Sequence, residues 1–263
     1  MTTHGGAMST QWNPDLYLRF KQERTQPSID LVSRIELDTP QRIIDVGCGP
    51  GNSTTVLANR WPGSELTGVD SSGQMIENAS RDFPDIRWIH ADIRDLPSEP
   101  AYDIVYSNAA IQWIENHEVL IPHLYGMVRD SGALALQIPL AEEMPVRQAI
   151  RNVAARTPWR DSMSGIPRLV AQSPGFYYDL LAPFARRVVM WRTDYFHEMD
   201  SHAAIVTMLE STALRPYLER LADTSDGDVF LKNVIDEVRD FYPQQKNGRV
   251  LFPFYRFFFI AYR

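Results

Sequence analysis

Asp45-Val46-Gly47-Cys48-Gly49-Pro50-Gly51, with Asp70 closing the next apolar run Leu66-Thr67-Gly68-Val69-Asp70, is the stretch that decides how this chain folds. The run Arg42 to Gly47 reads as a strand, and glycines at alternate positions after it let the backbone turn tightly and approach a ligand without side chains in the way. In an open α/β sheet, ligands bind outside the carboxyl ends of the strands, where such a turn leads into the first helix. The spacing narrows the ligand. A dinucleotide turn, G-x-G-x-x-G, needs a glycine where Asn52 stands, and a phosphate-binding loop needs a Gly-Lys-Ser/Thr that does not follow. Asp45 puts a carboxylate next to the turn, which suits an ammonium group and not a phosphate. Asp70 stands where an acid can accept both ribose hydroxyls. A nicotinamide-dependent oxidoreductase shares the turn and the acid and stays open as an alternative, with Asn52 against it.

Outward from the turn, short β-branched runs alternate with amphipathic stretches, the pattern of βαβ units around a parallel sheet. Strands are predicted over Arg42 to Gly47, Leu66 to Asp70, Arg87 to Ala91, Tyr102 to Ser107 and Gly132 to Ile138. Helices are predicted over Ser53 to Arg60, Ser72 to Asp82 and His117 to Val128, with a leading helix capped by Ser28 and running to Leu37. After Pro139 the alternation stops. Glu142 to Phe184 reads as helices and loops broken by prolines, followed by a strand from Val188 to His197, a helical stretch from Ser201 to Tyr242 and a strand from Val250 to Tyr262. The expectation is an α/β fold: a mostly parallel seven-stranded sheet flanked by helices, with a helical cap over the site. It forms one domain over 11–263, with insertions at roughly 141–185 and 200–242, and the aromatic last strand is expected at a sheet edge. Met1 to Thr10 has no apolar signal core and reads as a leader outside the fold.

Composition excludes several function classes. With 26 Lys and Arg against 33 Asp and Glu, the net charge of −7 does not suit a general nucleic-acid binder, which must neutralise many phosphates. No stretch is long and apolar enough to span a bilayer, so no membrane partner is expected. Cys48 is the only cysteine, which rules out an internal disulfide and a cysteine-based metal cluster, and a cytoplasmic setting follows. The thiol reads as a small apolar filler rather than a nucleophile. His90, His117, His123, His197 and His202 show no metal-site spacing, and no metal is expected. Lys21, Lys232 and Lys246 are the only lysines, so nearly all positive charge is arginine, which suits bidentate recognition of carboxylates.

The turn and its acid resemble the first two motifs of class I S-adenosylmethionine-dependent methyltransferases. Trp12 to Leu18, Asn108-Ala109-Ala110-Ile111-Gln112-Trp113 and Trp191 to His197 are similar, more narrowly, to the family that esterifies trans-aconitate. The resemblance implies a Rossmann-like fold, S-adenosylmethionine as cofactor, S-adenosylhomocysteine as product, and a small tricarboxylic acid as the partner substrate. The expected cofactor set is Asp45, Gly47, Gly49, Gly51, Asp70, Ser71, Met75, Asp92, Ile93, Asn108, Ala109 and Trp113. Asp92 would meet the adenine amino group, with Ile93 against the ring. A lone Asp after a strand also commonly caps a turn, and that reading stays open, as does methylation of carbon or nitrogen on another metabolite.

A carboxylate nucleophile is already ionised at pH 7, so no general base is expected. Such a substrate needs cations for the carboxylates that do not react. Arg192 and Arg24 come first, then Arg160 and Arg168, with Tyr17, Tyr195 and Tyr178 as hydroxyl donors and Tyr177 beside them. Arg192 and Tyr195 are three apart in a strand and so point to opposite faces, and only one can reach the site without a bulge.

Overall fold

The structure, a computed structural model, describes residues 25–166, 168–210, 212–222 and 226–263. Tyr17 and Arg24 lie outside the described residues. Helix α1 (25–33) leads into β1 (Arg42–Val46), α2 (Asn52–Arg60), β2 (Glu65–Asp70), α3 (Gly73–Asp82), β3 (Arg87–His90), β4 (Tyr102–Asn108), α4 (His117–Gly126) and β5 (Val128–Pro139). Then come α5 (Pro145–Ala154), α6 (Pro174–Leu181), β6 (Arg187–Met199), α7 (His202–Glu210), α8 (Arg215–Leu221), α9 (Gly227–Phe241) and β7 (Val250–Tyr262).

The sheet has seven strands in the order β3-β2-β1-β4-β5-β7-β6. β3, β2, β1, β4 and β5 pair in parallel, and β7 runs antiparallel to both β5 and β6. The aromatic last strand is therefore interior and β6 is the edge. The reason is burial: Phe257 to Tyr262 are all buried, which an edge position would not allow. Strand order reverses between β1 and β4, whose carboxyl ends diverge there and open the crevice where α/β folds bind ligands.

One face of the sheet packs on α1 and α2 through Leu31, Val32 and Leu57, with Ile35 just past the end of α1. The other packs on α4 and α6 through Leu120, Leu124, Tyr177 and Leu181. α1 is already helical at residue 25, so Ser28 is not its cap. Ser28 is buried and accepts a 2.7 Å hydrogen bond from the Tyr106 hydroxyl, tying α1 to β4.

β6 and β7 are 13 residues each and outrun the rest of the sheet. β5 ends with Pro139 opposite Arg256, so β6 is the one strand of the sheet that pairs with Val250 to Tyr255. This ribbon projects past the carboxyl ends of the parallel strands and carries the cap. There α5, α7, α8 and α9 bury their own core, with Ile150, Val153, Ile205, Leu209, Phe230 and Val234 among its members. The chain inserted after β5 and the chain inserted before β7 thus share one helical layer. No helix among the described residues is long and apolar enough to cross a membrane.

Candidate active site

A cavity of about 420 Å³ opens between the glycine turn and the cap. Its floor is Gly47, Cys48 and Gly49, with Asn108, Ala109, Gln112 and Trp113 after β4. α1 contributes Thr25 and Ser28. The far wall comes from the cap and the β6–β7 ribbon and includes Arg147, His197 and Arg256.

Gly47 is the tightest point of the floor. Its φ is +75°, and a Cβ there would lie 2.1 Å from the Cβ of Ala110. Only a bare backbone lets the turn after β1 pass the turn after β4. Gly49 donates its amide to Asp70 Oδ2 at 2.9 Å, and Asp70 Oδ1 accepts the Ser72 amide at 2.8 Å. Asp70 thus stands beside the turn as expected, with Ser71 and Met75 exposed just after it. Gly51, at φ +91°, closes the turn as the residue before α2, under Trp88 and Phe83.

Asp45 is not in the cavity wall. It is fully buried, and its Oδ2 accepts the hydroxyls of Ser53 and Thr54 at 2.7 Å each. Its carboxyl holds the first turn of α2 against the end of β1, and burial pushes its pKa up to about 6. Its Oδ1 is buried beside the turn with no hydrogen-bond partner among the described residues. Two further acceptors of that kind lie in the cavity wall itself. Asn108 Oδ1 and Gln112 Oε1 are buried in the cavity wall with no hydrogen-bond partner among the described residues. Gln112 spends its amide N–H on the carbonyl of Ala109 at 2.7 Å, leaving the oxygen unsatisfied. Two orphaned carbonyl oxygens fit an ammonium, which has three donors, and they repel a phosphate. The donor set of this cavity therefore suits an amino-acid-bearing nucleoside. Ala109, at φ +55°, makes the sharp exit from β4 that brings both amides to one wall.

Asp92 and Ile93 do not line this cavity. Asp92 takes a 2.6 Å ion pair from Arg94 and caps the 3-10 turn that starts at Ile93; the Arg94 hydrogen bonds hold its pKa down to about 2. Ile93 is buried in the core beneath α4. The capping reading is the one realised for Asp92. Trp113, 65% exposed, does line the cavity. The Cys48 thiol is buried, and desolvation raises its pKa well above normal, which leaves it an inert filler.

The substrate arginines also move. β6 is unbroken, and Arg192 and Tyr195 do fall on opposite faces, but neither lines the cavity. Arg192 is half-exposed, pairs with Glu143 at 2.9 Å and Asp194 at 2.8 Å, and lies over the Tyr255 ring. Tyr195 donates its hydroxyl to Asp30 of α1. Tyr178 is exposed on α6, while Tyr177 is a core residue hydrogen-bonded to His117 at 2.7 Å. Arg160 and Arg168 line a different cavity, inside the cap.

Sequence reading missed Arg147, Arg256 and His197. Arg256 is opposite Thr193, one residue from Arg192 in register and therefore on the other face, at the height where β5 ends. Arg147, on α5, has only 13% of its side chain exposed, yet its nearest carboxylate is Glu142 at 3.7 Å. Desolvation lowers its pKa. A guanidinium buried with so loose a counter-ion favours an anion in the cavity beside it. One signal was in the sequence: Arg147 and Arg151 recur at helical spacing along α5, each directly after a buried apolar residue, Val146 and Ile150.

Comparison with known proteins gives a consistent answer. A family model described as a methyltransferase domain matches residues 43–132. The trans-aconitate 2-methyltransferase of Escherichia coli O139:H28 (strain E24377A / ETEC) is 39% identical over 254 residues, covering 97% of this chain and 99% of that protein. The same-named protein of Shigella flexneri is 39% identical over the same shares. Among solved structures, the YcgJ protein of Bacillus subtilis aligns with a TM-score of 0.59 at 16% identity, over 90% of this chain and 98% of that one. Phosphoethanolamine N-methyltransferase 2 of Haemonchus contortus, solved with S-adenosyl-L-methionine, aligns with a TM-score of 0.57 at 15% identity over 90% of this chain and 52% of that one. These two likenesses concern the fold.

Proposed function

The chain belongs to the trans-aconitate 2-methyltransferase family of S-adenosylmethionine-dependent methyltransferases, and from that premise we propose that Arg147 and Arg256 hold two carboxylates of trans-aconitate while the third is methylated. The observation that carries this reading is the placement of both guanidiniums in the same cavity as the glycine turn.

S-adenosylmethionine supplies an electrophilic methyl group on a sulfonium and leaves as a neutral thioether. Gly47 and Gly49 give its backbone berth. Asn108 and Gln112 offer the unsatisfied carbonyl oxygens to its ammonium, and Asp70 accepts from its ribose. Trp113 walls the mouth. On the acid side, guanidinium forks match carboxylates two bonds at a time, so Arg147 and Arg256 fix the acid's orientation as well as its charge. His197, edge-on to Phe254 with ring centroids 4.9 Å apart, lines the same cavity from the ribbon.

No side chain has to take a proton, because the attacking carboxylate is ionised at neutral pH. What the protein contributes is position. Holding donor and acceptor in line is worth up to about 7 to 11 kcal/mol in favourable systems. The meeting of an anion with a cation also cancels charge, which a cavity closed by the cap and α1 favours over open water.

Incubating the protein with methyl-labelled S-adenosylmethionine and trans-aconitate tests the assignment. The expected product is a labelled monomethyl ester released by mild base. A base-stable product would place the methyl on carbon or nitrogen and overturn the ester reading.

A further inference from the structure

Beyond that reading, the cap holds a second cavity, of about 290 Å³, whose lining carries four arginines and a single carboxylate. Arg147 and Arg151 project from α5, and Arg160 and Arg168 come from the segment that follows it. The carboxylate is Glu142, 2.5 Å from Arg151 and 3.7 Å from Arg147. The other two guanidiniums are not neutralised this way. Arg160 donates Nε to the carbonyl of Ala155 at 2.9 Å, and Arg168 has no ion pair among the described residues. Tyr217 closes one side. Burial raises the pKa of its hydroxyl, while the charges of Arg147, Arg151 and Arg168 act against that rise, which places all three within electrostatic reach of one point.

Like charges gathered around a concavity repel one another, and low-dielectric walls strengthen that repulsion. The arrangement is relieved by an anion of two or more charges. We propose that this cavity is a second anion-binding site, for a small di- or tricarboxylate, and that it is distinct from the methyl-transfer site. Planar forks approaching from several sides suit carboxylates, each taking two parallel hydrogen bonds. Arg147 lines both cavities and forms the partition between them. The cap site involves none of the glycine turn, so it needs no methyl donor to form.

Equilibrium dialysis of labelled trans-aconitate against the protein saturated with S-adenosylhomocysteine reads the sites directly, because no turnover occurs. Two equivalents are expected in the unmodified protein. R168Q is expected to hold one, its other equivalent weakened at least tenfold, with S-adenosylhomocysteine affinity unchanged as the check on folding. R160Q serves as an independent second variant with the same expected loss. R256Q is expected to lose the other equivalent and keep the one that depends on Arg168. One equivalent in the unmodified protein that R168Q and R160Q leave alone overturns the second site and spares the proposed substrate site. One equivalent that R168Q removes and R256Q spares supports the cap site and overturns the role given to Arg256. No bound equivalent overturns both. Citrate and inorganic phosphate, added as competitors, decide the class: phosphate displacing the Arg168-dependent equivalent at tenfold lower concentration than citrate would overturn the polycarboxylate assignment.

Discussion

The two walls of the methyl-transfer cavity are built by opposite means. The floor is backbone: a turn of alternate glycines, a left-handed alanine and amide groups, all within a few residues of two neighbouring strand ends. The far wall is side chain: Arg147 from a cap helix and Arg256 and His197 from a two-stranded ribbon, residues distant in sequence. On the proposed reading the floor takes the methyl donor, and it tolerates little change because its atoms pack on other backbone. On the same reading the far wall takes the acid, and there single side chains can be exchanged without rebuilding anything beneath them.

Substitutions in the two walls should therefore have unequal effects. The largest effect is expected on the floor. Gly47→Ala needs a Cβ 2.1 Å from that of Ala110 at a φ of +75°, so either turn has to move. S-adenosylhomocysteine affinity should fall by at least about 100-fold in calorimetry, a loss near 3 kcal/mol. Retention of affinity within tenfold would mean that the turn is softer than its packing implies.

Asp45 gives a smaller effect, in stability, with a definite sign in pH. Its pKa in the folded chain is about 6, above the unfolded value near 4. The stability it contributes is complete below pH 4 and is lost as pH rises through 6. Asn in its place can still accept both hydroxyls and does not ionise. Urea unfolding of Asp45→Asn should match the parent near pH 3.5, below the unfolded value, and exceed it by about 1 to 3 kcal/mol at pH 7.5. An equal loss at both values would contradict the burial argument.

The smallest effect is expected at Arg192, on the outer face of the ribbon. Arg192→Ala removes half-exposed ion pairs of the kind worth roughly 0 to 1 kcal/mol, and steady-state kinetics should change by less than about twofold. A tenfold rise in KM for the acid would place that face in the substrate path.

The same contrast explains what the sequence made legible. The turn was readable because its chemistry is local. Glycines and acids at fixed spacing after a strand carry their meaning without knowledge of the partner strand, and the Asn52 break separated it from a dinucleotide turn. What the sequence did not show at Asp45 is local as well: Ser53 and Thr54, eight and nine residues on, fold back and take one oxygen of its carboxylate once α2 forms. On the ribbon the obstacle was register. Arg192 and Arg256 are both arginines in aromatic strands, and only the pairing of Thr193 with Arg256 tells which one faces the cavity. The last strand looked like an edge because its aromatic content is compatible with one, and its position between β5 and β6 is a property of the whole sheet. Arg160 and Arg168 were expected at the substrate and line the second cavity inside the cap instead, which depends on how the chain between α5 and α6 packs.

In the proposed function Arg256 and Arg147 read the acid and leave the methyl donor to the floor. The most direct measurement is KM for trans-aconitate set beside Kd for S-adenosylhomocysteine in Arg256→Gln. Losing a charge-assisted pair, about 1.5 to 3 kcal/mol, predicts a KM raised roughly 10- to 100-fold with Kd unchanged within twofold. An unchanged KM, or a parallel loss in both constants, would contradict it.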